Sequence, residues 1–210
     1  MIQLDYATLR ATTKAAAPFP HVVIPNFVPP ETLRQVVAAL PEIGNGGSYP
    51  PESLRLGPAA QALIEAMEGP ELRHAIAEKF DLDLDTAPTM LTVRGRTREK
   101  DGRIHTDSRA KRVTVLLYLN PDPDRFAGHE GCLRLLRDGT DIENFAVEVP
   151  PVNGTLLVFP NGDTTWHGHK QFVGPRYAIQ LNYMTADGLA RSEMRRHRLS
   201  ALVKRWTRAA

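Results

Sequence analysis

One cysteine, Cys132, stands among the 210 residues, so no disulfide can close within the chain. No apolar run approaches the ~20 residues that a membrane-spanning helix needs, and none is expected here. The start, MIQLDYATLRATTK, lacks the basic opening and apolar stretch of a secretory signal, so cytoplasm is the expected location. Aromatics are scarce, at 7%, and they are not interleaved with basic residues as a base-stacking surface requires, which argues against nucleic acid as a partner. The glycines of GNGGSYPP follow neither a phosphate-loop nor a dinucleotide spacing. There is also little net charge, +2, but that value hides an asymmetry. Residues 191–210 carry seven Lys/Arg against Glu193 alone, whereas the rest of the chain has 19 Lys/Arg against 23 Asp/Glu. Met194, Leu199, Leu202 or Val203, and Trp206 would give that basic tail a narrow apolar seam. The expected arrangement is a C-terminal helix or tail over 191–210 docked by the seam, with a solvated basic face; a nucleic-acid or membrane-surface patch is the rival.

What is present suits a single domain over residues 1–190. Apolar and charged fractions of 42% and 24% are those of a globular protein, and 17 prolines with 15 glycines suit many short strands joined by turns. Residues 18–87 read as helical support. FPHVVIPNFV (19–28) is a short entering strand, followed by helices from Pro30 to Leu40, over 58–68 and over 70–80, each opened by proline. From Pro88 to residue 185 the period changes to two. TMLTVRG and the segments 112–119, 132–137, 145–149, 154–159, 165–172 and 176–184 read as strands, with turn residues between them. This rhythm implies a mainly β fold with flanking helices (α+β) rather than a βαβ fold.

Three residues carry the chemistry. In HTDS, His105 and Asp107 are two apart, so on a strand or its flared end both point to one side and can grip one cation. A second histidine, His167 in WHGHK, follows about sixty residues later and completes a 2-His-1-carboxylate set, the usual seat of non-haem Fe(II). His169 lies on the same side of its strand as His167 and is the rival ligand. Nine residues after His167, Arg176 opens GPRYAIQLNYM, whose alternation puts Arg176, Ala178, Gln180 and Asn182 on one face and Tyr177, Ile179, Leu181 and Tyr183 on the other. A guanidinium on the polar face offers a fork for a carboxylate such as that of 2-oxoglutarate. His129 reads as exposed, His74 as a helix-surface histidine, and Cys132 as a packing residue.

The succession HTD, VTVLLYLNP, GCLRLL, PPVNGTLLVFP and WHGHKQFVGPRYAIQLNY resembles, in order and spacing, the prolyl-4-hydroxylase-like Fe(II)/2-oxoglutarate dioxygenases over residues 88–185. The resemblance implies a double-stranded β-helix, a jelly-roll barrel buttressed by the N-terminal helices. It also implies Fe(II) held by His105, Asp107 and His167, with 2-oxoglutarate as co-substrate and O2 as oxidant. Arg176 and Tyr118 would bind the 2-oxoglutarate, with Gln180 and Asn182 as further candidates on the same face. The family spacing to the last-strand basic residue favours His167 over His169. The tyrosine that some members place before the H-x-D is missing, and Thr92 or Arg94 stands as its substitute. The implied reaction is hydroxylation of a peptidyl residue or small molecule, coupled to oxidative decarboxylation of 2-oxoglutarate, with ascorbate as an expected helper. Asp107 argues against halogenation, in which the carboxylate gives way to chloride. Two rivals are a nucleic-acid demethylase of the same chemistry and a non-catalytic jelly-roll binding module. Specificity is expected in loops 44–52, 94–104 and 121–131.

Overall fold

Burial alternates along the strands, and that alternation assigns each face of the main sheet to a different neighbour. The computed structural model describes residues 2–188 and 190–192. Its main sheet has five antiparallel strands: β1 (Val22–Ile24), β2 (Thr89–Thr97), β3 (Lys111–Tyr118), β6 (Leu156–Pro160) and β8 (Gly174–Met184), in the order β1-β6-β3-β8-β2. A smaller sheet holds β4 (Leu133–Leu136), β5 (Phe145–Val149) and β7 (His167–His169), in the order β5-β4-β7. Val113, Val115 and Leu117 of β3, Leu156 and Val158 of β6, and Ile179, Leu181 and Tyr183 of β8 pack in one cluster with the helices. The intervening residues Tyr118, Leu157, Phe159 and Ala178 point the other way and cluster with Leu133, Leu135 and Val149 of the small sheet. The result is three layers: helices, main sheet, small sheet.

Four α-helices lie among the described residues, and in three of them proline fixes the first turn and apolar residues recur at helical spacing. They are α1 (Tyr6–Ala11), α2 (Pro30–Ala38), α3 (Pro58–Glu68) and α4 (Pro70–Phe80). Helix α3 buries Leu63, Ile64 and Met67, and α4 buries Leu72, Ala75, Ile76 and Phe80. Gly69 ends α3 and starts α4, so the two share one corner, and Asp81 ends α4 in the left-handed region at φ 55°. Helix α1 is additional to the three that the periodicity predicts. It is too short to show a periodicity of its own, and it is held by Asp5, whose side chain accepts from the Thr8 N–H at 2.9 Å.

The jelly-roll expectation holds, with one refinement. The two sheets face each other but are not joined into a closed barrel: the described residues form two separate ladders. Two further expectations change at their ends. The entering strand covers only 22–24, because Asn26 turns the chain at φ 54°, although Phe27 and Val28 beyond it are fully buried. The strand expected over 165–172 pairs only over 167–169. No helix among the described residues is long and apolar enough to cross a membrane. The seam expected from Met194 to Trp206 lies outside the described residues.

Because Leu181 is wholly buried between sheet and helices, Leu181→Ala is expected to cost roughly 2–5 kcal/mol. Urea unfolding would register this as a lower midpoint at nearly constant slope.

Candidate metal and co-substrate site

Two histidines far apart in sequence meet through their backbones. The N–H of His105 donates to the carbonyl of His167 at 3.0 Å and the reverse bond is also 3.0 Å, an isolated antiparallel bridge beside β7. Directly opposed residues of an antiparallel pair project their side chains to one side, and the two imidazole centroids lie 4.3 Å apart. Asp107, two residues on, joins them: one donor atom from each of His105, Asp107 and His167 lies within 4.8 Å of the others. His167 Nε2 is 3.9 Å from Asp107 Oδ2.

The surroundings set these groups for cation binding. His105 Nδ1 lies 2.8 Å from the Arg103 carbonyl and His167 Nδ1 lies 2.9 Å from the Thr165 carbonyl. A carbonyl can only accept, so in these bonds each Nδ1 carries the proton and each Nε2 keeps a lone pair for a metal. Burial and then the neighbouring His105 push His167 down to about 4, partly offset by Asp107, so it is neutral near pH 7. Asp107 accepts from Lys111 Nζ at 2.5 Å on Oδ1 and from Thr114 Oγ1 at 2.6 Å on Oδ2. Burial alone would raise this carboxyl; the charge of Lys111 and the hydrogen bonds from Lys111 and Thr114 outweigh it and hold the group below its usual range. Two imidazoles with Nε2 turned to one point and an ionised carboxylate form a donor set that suits Fe(II).

The triad opens on a cavity of about 320 Å³ whose far end is cationic. Arg176 is 6% exposed; its Nε donates to the Gly131 carbonyl at 2.9 Å, while its Nη2 is buried with no partner. The guanidinium sits 5.2 Å from the Tyr118 ring centroid. Tyr118 Oη is buried and unpartnered too. Burial raises its pKa, and nearby Arg176 offsets part of that rise without a well-formed hydrogen bond to the hydroxyl. Buried donors without acceptors are costly, and these two face one cavity, so the end of the cavity fits a carboxylate.

Most residues singled out by the sequence meet here. His105, Asp107, His167, Tyr118, Arg176 and Gln180 all line the cavity. Asn182 does not: alternation gives it the right face, but it lies buried below the wall, where its Oδ1 accepts from Gln180 Nε2 at 3.3 Å. Arg94 lines the cavity and Thr92 does not. His169 lines it without joining the triad; its Nδ1 bonds the Lys170 carbonyl at 2.7 Å, and Gly102 packs against the ring so closely that a Cβ there would lie 2.4 Å from it. His129 and His74 are exposed, His74 on a helix surface, and Cys132 is buried with its thiol pushed up to about 11, chiefly by burial. The sequence reading missed Lys111 and Thr114, the two that hold Asp107. Their signal was present: Lys111 follows Asp107 by four residues, and Thr114 shares a strand face with Tyr118.

His169 is likewise pushed down to about 4, first by burial and then by Arg176. In the unfolded chain a histidine titrates near 6.5, so between about 6.5 and 4 the unfolded state binds more protons than the folded one. Stability of the metal-free protein is therefore full above pH 7 and falls as the pH drops through this window, by up to roughly 2 kcal/mol per buried histidine at pH 5. Urea unfolding at pH 7.5 and pH 5 measures the loss, and His169→Asn should remove its own share of the slope.

Comparison with known proteins agrees with this geometry. Residues 93–184 match the model of the 2OG-Fe(II) oxygenase superfamily. A search of curated protein sequences finds no match. Among solved structures, a Pseudomonas putida prolyl-4-hydroxylase superposes with a TM-score of 0.56 at 20% identity, over 87% of this chain and 99% of that one. Prolyl 4-hydroxylase from Phytophthora capsici gives 0.58 at 18% identity, over 90% of this chain and 68% of that one. A Trichoplax adhaerens prolyl hydroxylase, solved with a hypoxia inducible factor oxygen degradation domain peptide fragment, gives 0.51 at 18% identity, over 86% of this chain and 87% of that one. These likenesses carry the fold alone. The His-Asp-His triad and the carboxylate-ready cavity lie inside the segment, residues 93–184, that is similar to the 2OG-Fe(II) oxygenase superfamily.

Proposed function

We propose that His105, Asp107 and His167 hold Fe(II), that Arg176 and Tyr118 hold 2-oxoglutarate, and that the enzyme hydroxylates a peptidyl residue or small molecule. The observation that carries this reading is one cavity with a metal-ready triad at one end and unpartnered buried donors, Arg176 Nη2 and Tyr118 Oη, at the other. Bound iron would let O2, the four-electron oxidant, react, with two electrons coming from 2-oxoglutarate as it becomes succinate and CO2 and two from a substrate C–H bond as it becomes an alcohol.

The protein's part is binding, orientation and the exclusion of water. Thr114 and Lys111 fix both oxygens of Asp107, so the carboxylate faces the two Nε2 atoms without rotating. The carbonyls of Arg103 and Thr165 fix the two imidazole rings in the same way. Arg176, anchored by its Nε on the Gly131 carbonyl, presents the remaining guanidinium nitrogens to the distal carboxylate of 2-oxoglutarate. Tyr118 donates its hydroxyl proton to the same group. Leu116, Leu133 and Ala178 give the cavity an apolar wall that keeps the reacting end dry. Gln180, the remaining polar side chain of β8 on that wall, is placed to orient the keto acid or the substrate.

A peptide substrate is supported by the Trichoplax relative with its peptide fragment, and a small molecule would fit a cavity of this size equally well. Ascorbate enters this proposal as a helper on resemblance alone, and cytoplasm as the place of action rests on the sequence.

An anaerobic titration with Fe(II) and 2-oxoglutarate tests the assignment through the weak visible charge-transfer band of an iron-bound keto acid. Wild type should give the band and His167→Ala should not. Arg176→Ala should need roughly 10–100 times more 2-oxoglutarate, the loss of one charge-assisted hydrogen-bond pair. Absence of both band and retained metal in wild type would overturn the dioxygenase reading.

A further inference from the structure

The cavity contains a second guanidinium. Arg94 lies on β2 directly across from Ala178 of β8, and Tyr118 of β3 pairs with the same Ala178 from the other side. These three residues therefore form one row across three strands, with the smallest side chain in the middle as a floor. Arg176 stands two residues along β8 on the same face. All four line the cavity, so two arginines and a phenol surround the space above Ala178.

Neither arginine has a carboxylate partner among the described residues. Arg94 Nε is shut off from solvent with no hydrogen-bond partner, and so is Arg176 Nη2. The nearby acids are engaged elsewhere: Asp107 with Lys111 and Thr114, and Asp101 with Arg98 through bonds of 3.1 and 3.2 Å. Burial and then Arg176 lower the pKa of Arg94, the mark of two like charges sharing one low-dielectric space. Two such charges side by side are costly unless an anion lies between them. Thr92, one row deeper opposite Gln180, is buried but absent from the cavity wall.

We propose that Arg94 is a second guanidinium for the distal carboxylate of 2-oxoglutarate, clamping it from β2 while Arg176 clamps it from β8. This rests on the reading of the cavity as the co-substrate site. Its consequence is selectivity. A keto acid with a second carboxylate neutralises the paired arginines, whereas 2-oxopentanoate, similar in length with a methyl end, leaves both charges buried and unpaired.

The test is calorimetric binding of 2-oxoglutarate and of 2-oxopentanoate to the full chain loaded with Mn(II), in wild type, Arg94→Met and Arg94→Lys. Arg94→Met should weaken 2-oxoglutarate by roughly tenfold or more and change 2-oxopentanoate little, with Arg94→Lys in between. Ligand-free Arg94→Met should melt no lower than wild type, since a part-buried charge with an unpartnered Nε has gone, yet gain less on adding 2-oxoglutarate. Unchanged 2-oxoglutarate affinity in Arg94→Met would overturn the proposal. Equal losses for both keto acids would overturn it as well, by placing Arg94 at the metal-binding end of the ligand. A wild-type protein that binds neither keto acid would instead sink the co-substrate reading, and this inference with it.

Discussion

The site depends on one pair of backbone hydrogen bonds, between His105 and His167. Each residue donates to and accepts from the other, so their side chains have no choice but to share a face. Asp107 is then in range because it lies two residues beyond His105. A ligand set placed in this way is as rigid as the ladder that holds it, and a rigid set is what binding to a facial half of an octahedron demands. The bridge is a single one, at the edge of the three-stranded sheet, and the chain on either side of His105 is free of regular pairing. That freedom lets the segment bend so that Asp107 meets Lys111 and Thr114 as well as the histidines.

The main sheet supports this arrangement by dividing its labour between faces. One face is almost wholly aliphatic and aromatic and is buried against α2, α3 and α4. The other carries Thr114, Tyr118, Arg176, Gln180 and Asn182 among smaller apolar residues. Polar groups on a buried face are costly unless partnered, and the inner ones are partnered: Thr114 donates to Asp107 and accepts from Asn161, and Asn182 accepts from Gln180. Those nearer the cavity, Tyr118, Arg176 and Arg94, keep donors without acceptors. The contrast within one sheet face separates residues bonded into the frame from residues with buried donors left open beside the cavity.

Two features of the same small sheet have different uses. His167 and His169 project alike from β7, and both are buried and neutral near pH 7. His167 faces His105 and Asp107, while His169 faces Gly102 and the arginine end of the cavity. Position along the strand, two residues or about 7 Å, decides between a place in the triad and a place in the cavity wall.

Much of this could be read from the chain itself. Period-two alternation from Pro88 onward implied the strands, and prolines at 30, 58 and 70 marked the helix starts, because both signals are local consequences of backbone geometry. The donor types at 105, 107 and 167, and the polar face of the strand beginning at Gly174, are properties of the sequence alone. The residues that missed, or were missed, did so for a common reason. Asn182 has the right face but the wrong depth, Arg94 comes from a neighbouring strand, and Lys111 and Thr114 hold Asp107 through a bend that has no periodicity. The sheets likewise stay open where the barrel pattern suggested closure. Alternation reports which way a side chain points; it is silent on register, depth and which edges pair. Those follow only when strands far apart in sequence settle against one another, and so the tertiary structure alone decided that His105 meets His167 and that two arginines meet over Ala178.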